Sequence, residues 1–151
     1  MSQFITGNSL WVAPIFSFIV AQLLKYVVYA IQYKVLRKER LTGAGGMPSS
    51  HSSGVCTLIT VMALSQGTQS PMFAIALIFG LVVMYDAAGV RRAAGLHAKV
   101  INVLRKSIDE LDPDSAPSEE PPKALKEFVG HTPLEVLCGA ILGVAIGFMF
   151  M

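Results

Sequence analysis

At 151 residues, with 53% apolar residues and only 15% charged, the chain has the composition of a membrane protein rather than of a soluble domain. A formal net charge of +2 carries none of the basic excess that nucleic-acid binding demands, so no nucleic-acid partner is expected. Its two cysteines, Cys56 and Cys138, fall inside predicted helices and read as buried apolar thiols instead of a disulfide.

The first predicted element is an apolar helix from Leu10 to Tyr33, interrupted mainly by Lys25. It is long enough for a hydrocarbon core, which needs roughly 20 helical residues. Met1 to Ser9 has no basic residue and no small-residue cleavage site follows the apolar run, so the helix is expected to remain as an anchor. Lys25 has two readings: a snorkelling side chain with its head at the interface, or a cation pointing inward. Lys34, Arg37, Lys38 and Arg40 then form a basic loop.

That loop leads into Gly45-Gly46-Met47-Pro48-Ser49-Ser50-His51-Ser52-Ser53-Gly54 and a short apolar helix, Ser53 to Leu64. Unpaired N–H groups and the helix dipole make a helix start an anion site, for which phosphate is a natural ligand. Ser49, Ser50 and Ser52 add hydroxyl donors there, and His51 can move a proton near neutral pH. About a dozen residues is short for an independent span, so a short, re-entrant or protein-covered helix is predicted.

Met72 to Ala88 is a strong span. Asp86 near its end is expected to pair with Arg91 or Arg92, because a carboxylate at membrane depth calls for a cation. The two arginines read either as anchors at the membrane face or, beside Gly89, as a phosphate clamp. From Ala93 to Leu111, apolar residues recur at helical spacing (Leu96, Val100, Val103, Leu104, Ile108, Leu111), which predicts an amphipathic helix that covers the bundle or lies at the interface. His97 on that helix reads as a solvated or interface side chain. Asp112 to Pro122, rich in acidic residues, serine and proline, predicts a flexible loop.

The last helix, Leu134 to Met151, opens with Gly130-His131-Thr132-Pro133-Leu134-Glu135. Thr132 suits the N-cap, Pro133 the first helical position, and Glu135 completes a T-x-x-E capping box. Glu135 also lies four residues after His131, within reach to orient its imidazole. Gly139, Gly143 and Gly147 give this helix a close-packing face, which suits a homodimer.

Basic residues cluster after the first span and between the third and the last, while Met1 to Ser9 and Ser65 to Pro71 hold none. The positive-inside rule then places both termini outside and both basic loops in the cytoplasm, bringing His51, Arg91, Arg92 and His131 to the cytoplasmic face. The expected architecture is an all-α integral membrane bundle in one domain: about four membrane-embedded helices plus a cytoplasmic amphipathic helix, multi-pass in the plasma membrane.

Pro48-Ser49-Ser50-His51 resembles the P-S-G-H signature of the type 2 phosphatidic acid phosphatase (PAP2) superfamily, and His131 with Glu135 resembles its H-x-x-x-D motif. The combination of G-G-M-P-S-S-H, M-Y-D-A-A-G-V-R-R (Met84 to Arg92) and G-H-T-P-L-E-V (Gly130 to Val136) is more closely similar to the divergent PAP2 family of small membrane proteins. The resemblance implies a PAP2-like bundle in which His131 is the nucleophile, Glu135 its orienting carboxylate and His51 the general acid, with no metal or cofactor. Basic residues would stabilise the transferring phosphoryl group. Four departures stand out. Ser50 replaces the glycine of P-S-G-H, and Glu135 replaces aspartate. The K-x6-R-P motif is absent, with Lys25, Lys34 and Arg40 the remaining candidates, and Leu125 stands where an arginine is expected, so that Lys126, Arg91 or Arg92 would substitute for it in space.

Two functions follow as expectations. One is a lipid-phosphate phosphatase acting on a lipid phosphate or prenyl pyrophosphate, with Lys25, Ser49, Ser50, Ser52, Arg91, Arg92 and Lys126 as candidate phosphate ligands. The other is a catalytically silent membrane protein that binds lipid phosphate.

Overall fold

The computed structural model describes residues 2–34, 45–111, 124–127 and 129–151. Every regular element among them is an α-helix: α1 (Ser2–Tyr33), α2 (Ser50–Gln66), α3 (Pro71–Ala88), α4 (Val90–Leu111) and α5 (Pro133–Met149). The predicted loop 112–122 and the basic residues Arg37, Lys38 and Arg40 lie outside the described residues. Local chemistry sets the helix ends. The Ser49 hydroxyl accepts from the Ser52 N–H to open α2, and that of Ser70 accepts from Phe73 ahead of α3, where Pro71 takes the first turn. Gly89 closes α3 and separates it from α4.

α2 is the centre of the bundle and packs against α1, α3 and α5. It runs from Ser50 to Gln66, longer than the Ser53 to Leu64 apolar run, because its first turn is built from serines that a hydropathy reading assigns to a loop. Its 17 residues rise about 25 Å, short of a ~30 Å hydrocarbon core. It is a helix covered by protein. Most of its buried hydroxyls are therefore satisfied internally: the Ser53 and Ser17 hydroxyls pair at 2.6 Å. The Thr57 hydroxyl lies 2.9 Å from the Ser53 carbonyl and 2.8 Å from that of Gly143 on α5, sharing its proton between them.

The α5 glycine stripe has a different use from the one its spacing suggests. A Cβ at Gly139 would lie 2.3 Å from the Ser49 carbonyl oxygen, one at Gly143 2.2 Å from that of Ser53, and one at Gly147 2.6 Å from Thr60. The small residues admit the α2 backbone of the same chain, so that face is occupied within the protomer.

Around this core the outer faces are apolar and exposed, with Ile15, Ile19, Leu23 and Val27 on α1, Ile75, Ile78 and Val82 on α3, and Leu137 and Ile141 on α5. Two stretches, Leu10–Gln32 and Pro71–Leu111, are long and apolar enough to cross a membrane, and α5 is a shorter apolar helix. An apolar skin over a core of serine, threonine and glycine suits a helical membrane bundle. Cys56 and Cys138 are both free thiols.

α4 does not cover the bundle. It contacts α3 among the helices, and it holds the returning segment before α5. The Asn102 side chain accepts from the Leu125 N–H at 3.0 Å and donates to the Leu125 carbonyl and to Glu127, each at 2.9 Å. Leu96, Val100, Val103, Leu104, Ile108 and Leu111 remain exposed.

Candidate active site at the converging helix ends

The starts of α2 and α5, the end of α3 and the C-terminal part of α1 meet at one end of the bundle. Two backbone hydrogen bonds tie them together. The His131 N–H donates to the Ala87 carbonyl at the end of α3 (2.9 Å), and the Ser49 N–H donates to the Glu135 carbonyl in the first turn of α5 (3.0 Å). Gly130 makes the first of these possible: it sits at φ +85°, and a Cβ there would lie 2.3 Å from the Arg92 backbone nitrogen. Only glycine fits that corner without a shift. The loop entering α2 is built the same way. Gly46 has φ +93°, and a Cβ on it would press on the Lys25 stem at 3.3 Å.

Glu135 has two tasks in one side chain. The capping box is complete: the Glu135 N–H donates to the Thr132 hydroxyl at 3.3 Å, and the Thr132 N–H donates to Glu135 Oε2 at 3.1 Å. The same Oε2 lies 3.0 Å from His131 Nδ1. Cap and orienting carboxylate are therefore one group. An ionised carboxylate can only accept, so Nδ1 carries the proton and Nε2 presents its lone pair. Nε2 is buried without a hydrogen-bond partner among the described residues, and so is the Ser50 hydroxyl.

Burial pushes the His131 imidazole below its ordinary pKa, and Lys25 adds to this, against the upward pull of the Glu135 hydrogen bond and charge and of the nearby Gly46 backbone, which falls short of hydrogen-bond geometry to Nε2. The neutral form, the one able to act as a nucleophile, is thereby favoured near neutral pH. An NMR titration of the imidazole should find its midpoint below the ordinary ~6.5. Glu135→Gln should lower it further, because it removes the charge that stabilises the imidazolium.

Lys25 points inward and is 3% exposed, so the snorkelling reading does not hold. It lines a cavity of about 320 Å³ together with Tyr29, Gln32, Gly45, Gly46, Thr132 and Glu135. Tyr29 and Gln32 are residues that the sequence reading passed over. Their signal was a polar stripe at i, i+4 and i+7 from Lys25 within an otherwise apolar helix.

The other candidates are placed differently. Ser49 and Ser52 are buried, with the Ser52 hydroxyl donating to that of Ser49 at 3.0 Å, so both are engaged in the α2 cap. His51 borders an apolar groove and meets the Phe18 ring edge-on at 5.5 Å. Burial pushes the His51 imidazole below its ordinary pKa, and Arg91, His131 and Lys25 add to this against the upward pull of Asp86, so the neutral form is favoured and a general-acid role depends on proton uptake with the substrate. Arg91 pairs with Asp86 at 2.5 Å in a part-exposed bridge. Arg92 and Lys126 are exposed, and neither they nor His131, His51 and Arg91 line the Lys25 cavity, His51 bordering the separate apolar groove instead.

A family model described as "Divergent PAP2 family" matches residues 6–146. An "Uncharacterized membrane protein YuiD" of Bacillus subtilis (strain 168) is 41% identical over 133 residues, which span 85% of this chain and 84% of the relative. No solved structure matches the chain.

Proposed function

The chain belongs to the divergent PAP2 family, and from that premise we propose that it is a membrane phosphatase that hydrolyses a lipid phosphate through a phosphohistidine on His131. The observation that carries this reading is the His131 imidazole, held through Nδ1 by Glu135 with Nε2 left unpartnered. That is the arrangement of a nucleophile with an orienting base partner.

In the first step the Nε2 lone pair forms a bond to phosphorus and the bond from phosphorus to the lipid oxygen breaks. The leaving oxygen takes a proton from the His51 imidazolium. Water then attacks phosphorus, the N–P bond electrons return to Nε2, and His51 recovers a proton from that water. Lys25, buried beside Glu135, supplies positive charge for the phosphoryl oxygens, the main demand of this reaction class. The basic residues flanking the site support a position at the cytoplasmic face of the plasma membrane in a multi-pass topology.

Purified protein should release inorganic phosphate from at least one of a phosphatidate, a phosphatidylglycerophosphate and a prenyl pyrophosphate. Inactivity across that set contradicts the reading. The silent, lipid-phosphate-binding alternative is favoured by one observation: Ser49 and Ser52 are bonded to each other and Arg91 to Asp86, so three of the candidate phosphate ligands already have partners.

A further inference from the structure

One side of α4 is taken up by the segment that returns to α5. A Cβ on Gly95 would lie 2.6 Å from the Glu127 carbonyl oxygen and 2.7 Å from that of Val129, Ala98 is buried, and Asn102 bonds to Leu125 and Glu127. With about 3.6 residues per turn these three positions share a side. The opposite half carries Leu96, Val100, Val103, Leu104, Ile108 and Leu111, each more than half exposed among the described residues. His97 and Ser107 interrupt that half, the Ser107 hydroxyl donating to the Val103 carbonyl at 3.2 Å.

The border of this apolar face is basic. Arg92, Lys99 and Lys106 are seven residues apart, which stacks them in one column beside Leu96 and Val103, and all three are exposed. Over the whole helix five basic residues (Arg91, Arg92, Lys99, Arg105, Lys106) stand against two acidic ones (Asp109, Glu110), with Lys106 and Glu110 3.9 Å apart near its end. That much charge keeps α4 out of the hydrocarbon core. An exposed row of six large apolar side chains is equally misplaced in water. The boundary between the two suits both halves. The chain path brings α4 there: it starts at Val90, directly after α3 ends at Ala88, and the exposed apolar flank of α3 continues to Val82 and Tyr85. The excess of cations along the border calls for acidic headgroups.

We infer that α4 docks on the surface of the membrane that holds the bundle, its apolar face in the outer acyl layer and the Arg92, Lys99 and Lys106 column among the headgroups of anionic phospholipids. On its other side it carries the segment that runs through Gly130 to His131, so docking holds that segment at headgroup level. The inference does not depend on the phosphatase reading.

The test puts a single tryptophan on the face, Val103→Trp in a Trp11→Phe background. The full chain is placed in nanodiscs of phosphatidylcholine with or without phosphatidylglycerol, spiked with lipid bearing a nitroxide either near the carbonyl or near the chain end. The near-carbonyl nitroxide should quench the tryptophan at least twofold more than the chain-end one. Phosphatidylglycerol should raise that quenching, by on the order of fivefold per lysine in the ratio of docked to free helix. Lys99→Glu combined with Lys106→Glu should reverse the lipid effect, so that phosphatidylglycerol lowers the quenching. Ile78→Trp, on the exposed face of α3, should be quenched alike in both membranes and reports insertion of the bundle; Val100→Trp repeats the measurement should Val103→Trp fail to fold. Stronger quenching from the chain end would put α4 inside the hydrocarbon. A tryptophan open to aqueous iodide in both membranes would put it in water, and one shielded from iodide yet unquenched by lipid would put a second copy or the acidic 112–122 stretch on this face. Equal quenching with and without phosphatidylglycerol would remove the acidic lipid. Each of these overturns the inference. The readout needs no turnover, so a protein that hydrolyses nothing leaves it standing.

Discussion

His131→Ala is expected to abolish phosphate release, with a loss on the order of 10⁴- to 10⁶-fold, the scale seen when the nucleophile of a covalent mechanism is removed. The fold should survive. The His131 N–H to Ala87 bond is made by backbone, and Glu135 Oε2 keeps the Thr132 N–H as a partner. His51→Ala should cost less, about 10²- to 10⁴-fold, as expected for the loss of a general acid. The difference between the two separates their roles: a leaving group with a lower pKa needs less protonation, so it should rescue His51→Ala and leave His131→Ala inactive. Phosphate release from matched substrates with good and poor leaving groups gives both values. Equal losses with no leaving-group dependence would remove His51 from the chemistry.

Gly143→Leu is expected to disassemble the bundle. Even a methyl group at that position would sit 2.2 Å from the Ser53 carbonyl oxygen and close to the Cys56 side chain. The Gly143 carbonyl is also one of the two acceptors of the Thr57 hydroxyl, so separating the helices breaks a buried hydrogen bond as well. Overpacking a core costs typically ~1–3 kcal/mol when side chains can move aside; here the obstacle is backbone, and the cost should exceed about 3 kcal/mol. Thermal unfolding in detergent, compared with that of Gly67→Ala, reads the effect. Gly67 has nothing within 4 Å of its Cβ position, although its φ of +79° adds local strain, so its cost is that of backbone conformation alone. A Gly143→Leu protein as stable as wild type would mean that α2 and α5 do not meet as described.

Much of this arrangement was legible in the sequence because local rules set it. The capping signature Thr132-Pro133-Leu134-Glu135 predicts the start of α5, and the i, i+4 relation of His131 and Glu135 predicts their contact. The short length of the α2 apolar run predicts a short, re-entrant or protein-covered helix, and packing against α1, α3 and α5 selects the last of these. Other features depend on which faces meet, and periodicity does not determine that. The Gly139, Gly143 and Gly147 stripe announces close packing without naming its partner, which is α2 of the same chain. Lys25 was open between lipid interface and interior because a lone lysine in a mostly apolar span can do either; the Tyr29 and Gln32 stripe beside it marked a polar face, and packing of α1 against α2 and α5 turns that face inward. His51 follows three residues after Pro48 in the motif, yet the helical turn that starts at Ser50 aims it at Phe18 and the groove, a direction set by the Ser49 cap.

The central claim is a covalent bond between phosphorus and His131, and trapping that bond tests it most directly. Wild-type protein mixed with a radiolabelled lipid phosphate and quenched in alkali should carry an acid-labile, base-stable label on the peptide containing His131. The label should vanish in His131→Ala and discharge with water as phosphate appears. Phosphate release at the wild-type rate with no label on His131, or with the label on another residue, would contradict the account.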